Sequence, residues 1–438
     1  MSRSAINEHA LRVLYRLKDA GYASHLVGGC VRDLLLGREP KDFDVTTDAH
    51  PEQVKELFRR NCRLIGRRFR LAHVQFGREI IEVATFRARH DGDEEGGVIA
   101  GGRILRDNVY GSIEEDAFRR DFTVNALYYD IRDFSVVDYV GGVDDLKQGT
   151  LRLIGDPETR YREDPVRMLR AVRFAAKLGF RIHPDSEAPI FELAPLLQDI
   201  SPSRLFEEVL KLFQGGCAVQ TFELLRHYGL FAQLFPATEA RLAGEQEGYP
   251  LTLLVRALGN TDKRILEDKP VTPAFMFAAL LWEPLRLQAR QLQQKGDSEG
   301  MALQQAMRQV LGEAGRQVTI PKRFSLRTRE IWTLQPRLNR NHGKRALRLL
   351  QHPAFRAAYD FLLLRAECGE IDEELAGWWT RIQEVSEHEQ LAMCMPQNKQ
   401  HRRRRRSSRG KSSQGISHRS GSAGNGSAPN GTQRDGRD

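Results

Sequence analysis

Apolar residues near the N-terminus change from helical to strand periodicity, which predicts a mixed α/β unit. Leucines recur at helical spacing across residues 11–17, whereas the short apolar run at residues 24–27 is typical of a strand. Gly28 and Gly29 follow that run and open a second helix, which Gly37 closes. The pattern predicts a strand, a glycine turn and a helix in succession.

The same unit continues to about residue 155. Residues 42–46 alternate like a strand, Pro51 occupies the favoured first position of a helix, and residues 71–76 and 80–86 have the pattern of paired strands. Residues 89–107 are rich in Gly, Asp and Glu, as is typical of a loop. We therefore expect a small mixed sheet.

The later part of the chain has helical signals. Ser112 and Glu115 form a capping box for a helix that is expected to run towards Asn125. From Glu158 to about residue 390 the pattern shows helical periodicity alone. The sequence thus predicts an α+β protein, with a mixed-sheet head followed by all-α regions.

Composition and charge refine this division. A chain of 438 residues with 40% hydrophobic residues is long enough for two or three globular domains. The net charge of +9 lies in residues 399–438, which leaves 56 basic and 56 acidic residues elsewhere. The segment after Pro396 has almost no apolar residues, so we expect a disordered basic tail.

The cysteines and the apolar runs exclude several protein classes. Five scattered cysteines form no pattern of disulfide pairs or zinc ligands, which favours a reducing cytoplasm. We find no export signal and no run near the roughly 18 apolar residues of a membrane span.

Two acids separated by one residue are the first chemical candidates. Asp42 and Asp44 on a strand would project from one face, with Phe43 buried behind them. Such a pair could hold two Mg²⁺ ions that activate a hydroxyl and neutralise leaving pyrophosphate. A solvated turn or strand edge is the alternative for this triplet.

The glycine turn before these acids could hold a triphosphate. Backbone N–H groups of Gly28 and Gly29 and the helix dipole would contact phosphate, with Arg32 and Asp33 on the following helical turn. An ordinary tight turn is the alternative. Glu82 is a candidate third metal ligand, although an exposed strand glutamate explains it equally well.

Two further clusters combine acids with arginines. Within residues 119–126, interpreted as a short helical segment, Arg119 could bind phosphate, and Asp121 could accept from a ribose hydroxyl or support the metals. Asp164, Arg167 and Arg170 share one predicted helical face. A carboxylate and an arginine together can recognise adenine or cytosine but not guanine or uracil. Ordinary ion pairs are the alternative for both clusters.

Taken together, these motifs resemble the class II nucleotidyltransferases of the polymerase beta superfamily, which contains bacterial poly(A) polymerases and tRNA CCA-adding enzymes. The motifs that carry the resemblance are Gly28-Gly29-x-x-Arg32-Asp33-x-x-x-Gly37, Asp42-x-Asp44, residues 119–126, Asp138-x-x-Gly141-Gly142, Glu163-Asp164-x-x-Arg167-x-x-Arg170 and Ser201-x-x-Arg204-x-x-Glu207-Glu208.

The resemblance implies roles and domains. Asp42, Asp44 and Asp121 would be the catalytic acids, Arg119 a triphosphate contact, and Asp164 with Arg167 the base-reading pair. The implied domains are a catalytic head (1–155), a helical neck for base recognition and RNA binding (156–215), an RNA-binding body (216–396) and the tail (397–438).

Two basic segments favour the poly(A) branch. The segment Arg67-Arg68-Phe69-Arg70 resembles one found in bacterial poly(A) polymerases, and so does the tail with Arg402, Arg403, Arg404, Arg405 and Arg406. A basic strand end and a solvated tail are the alternatives. Bound to RNA, the tail's charges would produce strong salt dependence.

The sequence therefore predicts transfer of AMP from ATP to RNA 3′ ends without a template. Messenger RNA, small RNA and decay intermediates are the expected substrates, and an RNA chaperone or the degradation machinery the expected protein partner. Two rivals remain: a CCA-adding enzyme, and an RNA-binding adaptor without catalytic activity.

Overall fold

The computed structural model describes residues 3–66, 70–88, 97–100, 103–107, 109–244 and 252–395. The strands are β1 (Ser24–Val27), β2 (Asp44–Thr47), β3 (Cys62–Ile65), β4 (Leu71–Phe76), β5 (Glu79–Thr85), β6 (Gly97–Ala100), β7 (Arg103–Asp107), β8 (Leu127–Asp130), β9 (Val136–Asp138), β10 (Thr150–Leu151) and β11 (Arg181–Ile182).

Helices alternate with the strands of the head and make up almost all of the described chain beyond it. They are α1 (Glu8–Asp19), α2 (Gly29–Leu35), α3 (Pro51–Phe58), α4 (Ile113–Arg119), α5 (Gly142–Gln148), α6 (Pro157–Glu163), α7 (Val166–Leu178), α8 (Pro184–Leu193), α9 (Pro202–Phe213), α10 (Ala218–His227), α11 (Leu230–Leu234), α12 (Pro236–Ala243), α13 (Thr252–Leu266), α14 (Pro273–Leu280), α15 (Trp282–Gln294), α16 (Glu299–Gln317), α17 (Lys322–Leu338), α18 (Lys344–Leu350), α19 (Phe355–Glu367), α20 (Glu373–Glu384) and α21 (Glu387–Cys394).

The head is built on a seven-stranded mixed sheet with the order β3-β4-β5-β2-β1-β8-β9. Its neighbouring strands run antiparallel, except that β2 and β5 are parallel. This pairing sets Asp44 directly opposite Glu82. On the other face of these two strands, Val45 and Val83 are buried in the core. The alternation therefore leaves the two acids on the open face.

The helical half begins at α6, and the α+β fold class is confirmed. Gly179 has φ +75° and ends α7 with a left-handed cap. One detail of the all-α prediction is wrong: β11 pairs with β10 in parallel inside the region expected to lack strands. Two residues are too few to produce a recognisable period.

Two further local predictions are corrected. Part of the expected loop at residues 89–107 is an antiparallel pair of strands, β6 and β7, with a register shift between Val98 and Ile99. The helix expected to reach Asn125 ends instead at Arg119, because Arg120 is extended and Phe122 forms a β-bridge with Leu153. A short 3₁₀ turn follows at Thr123–Asn125.

Within the described ranges, no helix is both long and apolar enough to cross a membrane. The predicted disorder of the tail falls on residues 397–438, which lie outside the described residues. The domain boundaries at residues 155, 215 and 396 stay predictions.

Candidate active site

A polar cavity of about 1090 Å³ lies between the head sheet and helices α7 and α9. The head supplies Asp42, Asp44 and Glu82 to its wall, and the helices supply cations that face these acids. The cations from the helices are Arg170, Arg173 and Lys211. Acids and cations thus share one cavity, as expected where an anionic substrate meets a metal-binding edge.

Asp44 carries the most perturbed carboxylate of this cavity. Burial raises the pKa of Asp44 to about 6, and the charges of Glu82 and Asp42 add to this while Arg120 opposes it. The repulsion means that the three acids are close enough to interact. A divalent cation would relieve this repulsion.

Asp42 and Phe43 differ from the prediction. Pairing with β1 and β5 begins only at Asp44, so Asp42 precedes the strand instead of lying within it. Phe43 is only half-buried and lines the cavity, whereas we expected it behind the sheet. The two carboxylates nevertheless border one cavity, which is the part of the prediction that bears on chemistry.

The acids fit a metal that takes its remaining ligands from substrate and water. Within the described ranges, no group of three or more His, Cys, Asp or Glu side chains has metal-binding geometry. Oε1 of Glu82 lies 3.4 Å from Nε2 of His73, so the Glu82 carboxylate already has a partner. Mg²⁺ is commonly held by one or two carboxylates plus phosphates, and Asp42 with Asp44 meet that requirement.

The glycine turn leads directly into α2. Gly28 has φ +78°, and a Cβ there would lie 3.6 Å from Nη1 of Arg120 and from the carbonyl oxygen of Asn125. A side chain at Gly29 would lie 3.5 Å from Nη2 of Arg32. The backbone therefore stays bare at the start of a helix, as phosphate binding requires.

Arg32 and Asp33 are buried and bound to each other. Nε of Arg32 donates to Oδ1 of Asp33 at 2.8 Å, and its Nη1 donates to Oδ1 of Asn125. The guanidinium carbon also lies 5.3 Å from the centre of the Phe174 ring. These contacts tie the glycine turn to the 3₁₀ turn and to α7.

Asp121 does not itself line the cavity, but it binds Arg170, which does. Arg170 Nε donates to Asp121 Oδ2 at 2.6 Å, and the Phe122 N–H donates to Oδ1 at 2.9 Å. Burial alone would raise the pKa of Asp121, but the charge of Arg170 and these hydrogen bonds outweigh it, so the pKa lies below its usual value. Asp121 is therefore ionised, and it orients a cation that lines the cavity.

Arg119 sits within a cluster of like charges. Burial, together with Arg87, Arg120, Arg160 and Arg167, lowers the pKa of Arg119 to about 9. Burial and Arg167 likewise lower the pKa of Arg160 to about 10. Mutually repelling guanidinium groups of this kind favour a bound polyanion.

The structure explains a motif for which the sequence offered only a resemblance. Asp138 accepts hydrogen bonds from four successive backbone N–H groups, those of residues 140–143, at 2.8–3.0 Å. Gly142 packs so closely that a Cβ would lie 2.2 Å from the carbonyl oxygen of Thr123. The start of α5 thus supports the 3₁₀ turn that carries Asn125. An acid shortly before two glycines is the sequence signal for such a cap.

The predicted base-reading pair has a different geometry from the one expected. Asp164 ends α6 with an extended backbone, and Arg167 lies on the first turn of α7, so they do not share a helix. Pro165 causes the break because it excludes helical geometry at the preceding residue. Arg204 Nη2 lies 2.6 Å from Asp164 Oδ2, and Arg167 pairs with Glu163 at 2.8 Å.

Of the predicted RNA-binding arginines, only Arg70 can be described. It forms an ion pair with Glu52 at 2.5 Å. Arg67, Arg68 and the tail arginines at 402–406 lie outside the described residues.

Three family models match this chain. The Poly A polymerase head domain matches residues 24–152, and the probable RNA and SrmB-binding site of polymerase A matches residues 179–242. The polymerase A arginine-rich C-terminus matches residues 295–411.

Relatives and a solved structure agree with these matches. Poly(A) polymerase I of Escherichia coli O157:H7 is 55% identical over 417 residues, covering 93% of this chain and 89% of the relative. The CCA-adding enzyme of Geobacillus stearothermophilus is 40% identical over 227 residues, covering 52% and 54%. The crystal structure of the Bacillus stearothermophilus CCA-adding enzyme with CTP aligns with a TM-score of 0.58 at 27% identity, covering 88% and 84%.

Proposed function

This chain belongs to the poly(A) polymerase family, and we propose that it transfers AMP from ATP to RNA 3′ ends without a template, releasing pyrophosphate. The observation that carries the proposal is the cavity in which Asp42 and Asp44 face Arg170, Arg173 and Lys211. An enzyme that joins two polyanions needs both an acidic metal edge and opposing cations.

The reaction follows from the chain's own groups. Mg²⁺ held by Asp42 and Asp44 would supply Lewis acidity at phosphate oxygens. The backbone at Gly28 and Gly29 would hold the triphosphate at the start of α2, with Arg119 and its neighbours offsetting the charge of departing pyrophosphate. Asp121 would keep Arg170 directed at the cavity. No group of the protein needs to form a covalent intermediate.

Base selection is assigned to Asp164 and Arg167. The Asp164 carboxylate would accept from the exocyclic amino group of adenine, and Arg167 would donate to the neighbouring ring nitrogen. Arg204 holds Asp164 at 2.6 Å, which fixes the direction of the acceptor. We therefore regard Arg204 as a positioning residue for this pair.

The substrate proposal covers RNA 3′ ends in general: messenger RNA, small RNA and decay intermediates. The match to an RNA and SrmB-binding segment supports RNA recognition next to the head. We extend the proposal to a cytoplasmic site of action, since all five cysteines are free thiols. A single-stranded 3′ tail gives exonucleases a starting point, so coupling to RNA decay and to an RNA chaperone belongs to the same proposal.

The test is a nucleotide-selectivity assay. The purified chain receives a generic RNA, Mg²⁺ and one nucleoside triphosphate at a time, and extension is followed on a gel. We expect long tails with ATP alone. The double variant Asp42→Asn, Asp44→Asn should lose activity, while Asp19→Asn, an exposed acid on α1, should retain it. Activity in the double variant would refute the assigned metal site.

A CCA-adding enzyme is the second candidate, favoured by the overall similarity to that solved structure. Incubation with tRNA lacking its CCA end, together with CTP, separates the two. Defined addition of two cytidines would overturn the proposal. Measurable pyrophosphate release would exclude an inactive RNA-binding adaptor.

The base-reading geometry makes a separate prediction. Arg204→Met removes the partner of Asp164, so kcat/KM for ATP should fall by about 10- to 100-fold, as expected for a hydrogen bond to a charged group. The KM for RNA should stay unchanged. Arg162→Met is the control, because its ion pair with Glu158 is exposed. Equal losses in both variants would contradict the assigned role.

A further inference from the structure

A second cavity lies in the helical body, among helices α16, α17 and α18. It has a volume of about 690 Å³ and is lined by four arginines, Arg337, Arg340, Arg345 and Arg348. We call it the body groove. None of the residues that line the body groove belongs to a strand or helix that lines the polar cavity of the candidate active site, called the active cavity below.

The helix geometry brings these arginines together. Arg337 lies on the last turn of α17 and Arg340 two residues beyond the end of that helix, while Arg345 and Arg348 are three residues apart on α18. Side chains at this spacing share one helical face. Both segments border the groove, so four guanidinium groups converge on it from α18, from the end of α17 and from the residues just after α17.

Within the described part of the chain, these positive charges outnumber the acids that line the groove. None of the four arginines forms an ion pair there, and Glu299 is the single acid in the groove wall. Elsewhere in the body, Arg327 pairs with Glu330 at 2.7 Å and Arg365 with Glu370 at 3.1 Å. Like charges gathered in one cleft reinforce its positive potential.

The floor of the groove is less polar than its rim. Leu303, Thr333, Pro336 and Leu349 also line the groove, and they are less exposed than the four arginines. Single-stranded nucleic acid presents both charged phosphates and flat bases, and guanidinium planes can stack on bases. The chain's own basic tail has the same charge as the groove and is therefore excluded as its occupant.

We propose that the body groove binds the backbone of single-stranded RNA upstream of the 3′ end held in the active cavity. The choice of RNA as the polyanion rests on the proposed function. The groove would retain the growing RNA between successive additions, because its contacts are to backbone and do not depend on one base.

Binding of a fluorescent oligoadenylate of about 20 nucleotides, measured without ATP at several salt concentrations, tests the inference. The variant Arg337→Gln, Arg348→Gln should lower the magnitude of the log–log salt slope by about 1.4, at about 0.7 per phosphate contact. At 0.1 M salt this corresponds to a Kd increase of up to about 25-fold.

The matched control is Arg308→Gln, Arg316→Gln. It removes the same charge from exposed positions of α16 that do not line the groove. We expect less than a twofold change in Kd, because neither side chain lines the groove and exposed charges are screened by salt. Equal changes in Kd for the two variants would show that RNA binding depends only on net charge, and this result would overturn the proposal.

Kinetics separate this inference from the proposed function. The groove variant should raise the KM for RNA and leave kcat at saturating RNA and ATP unchanged. If the wild-type chain adds no AMP, the proposed function fails while the binding experiment still judges the groove. If the groove variant binds RNA with the wild-type Kd and salt slope, the groove serves another anion and the inference is wrong.

Discussion

Among the glycines near the site, Gly142 leaves the least room for a side chain. In Gly142→Ala the new methyl group would lie 2.2 Å from the carbonyl oxygen of Thr123 and 2.8 Å from its carbonyl carbon. Ordinary contacts of this kind need more than about 3 Å. Either α5 or the 3₁₀ turn must therefore move by about 1 Å.

The movement should affect stability and catalysis in different amounts. Overpacking of this kind costs about 1–3 kcal/mol of unfolding free energy. A displacement of about 1 Å at a positioned group can cost about 100-fold in rate. The 3₁₀ turn carries Asn125, which binds Arg32 beside the glycine turn, so we expect the larger loss in kcat/KM for ATP.

Pyrophosphate release and urea unfolding measure the two effects separately. Activity is to be assayed at a temperature where the variant is folded, as judged by circular dichroism. Gly312→Ala is the matched control, since it adds the same methyl group on α16 with no atom within 4 Å. We expect that control to gain about 0.5–1 kcal/mol in stability and to retain full activity. Wild-type activity in Gly142→Ala would refute the steric reasoning.

Two further predictions concern largely buried ion pairs, one between Asp121 of the head and Arg170 of α7 and one within the head between Asp116 and Arg120. Arg170→Met should lower the unfolding free energy by about 3 kcal/mol at pH 7. Because the pKa of Asp121 is depressed in the folded protein, that contribution is present above the unfolded pKa near 4 and is lost as the pH falls through the folded value. Urea titrations of the two proteins should therefore converge in acid, and a pH-independent difference would contradict the pairing. Asp116→Asn should likewise cost about 3 kcal/mol by leaving Arg120 without its buried partner. Asp144→Asn, in an exposed pair, should cost under about 1 kcal/mol in the same unfolding assay, and similar losses in both would show that burial is not the cause.

Local signals in the sequence predicted much of the head correctly. The strand before Gly28, the helix after it and the capping box of Ser112 and Glu115 are all present. The exposed face of Glu82 was also predicted, because strand alternation depends only on neighbouring residues. Each of these features is encoded within a few positions of the chain.

Features that depend on distant residues could not be derived in this way. Arg204, which holds Asp164, lies 40 residues further along the chain. Arg173 and Lys211 reach the active cavity only because α7 and α9 pack beside the sheet. Periodicity indicates which face of a helix is buried, but not which strand it meets.

The break at Asp164 is a different case, because its signal was present. Pro165 directly follows the acid and disfavours helical geometry there. Regular spacing of acids and arginines nevertheless suggested one continuous helix. At Asp164, the backbone restriction that Pro165 imposes outweighs the helical spacing of the charged residues.

The unequal placement of Asp42 and Asp44 has a dynamic consequence. Asp44 is paired with strands on both sides, whereas Asp42 belongs to the connection between α2 and β2. The backbone amide of Asp44 should therefore exchange its hydrogen slowly and that of Asp42 quickly. Binding of a metal ion would then order Asp42 relative to the already fixed Asp44. The entropic cost of this ordering would depend on the conformational freedom of the connection between α2 and β2. Substitutions at Gly37, which has φ +69° within that connection, should consequently tune metal affinity without altering any ligand.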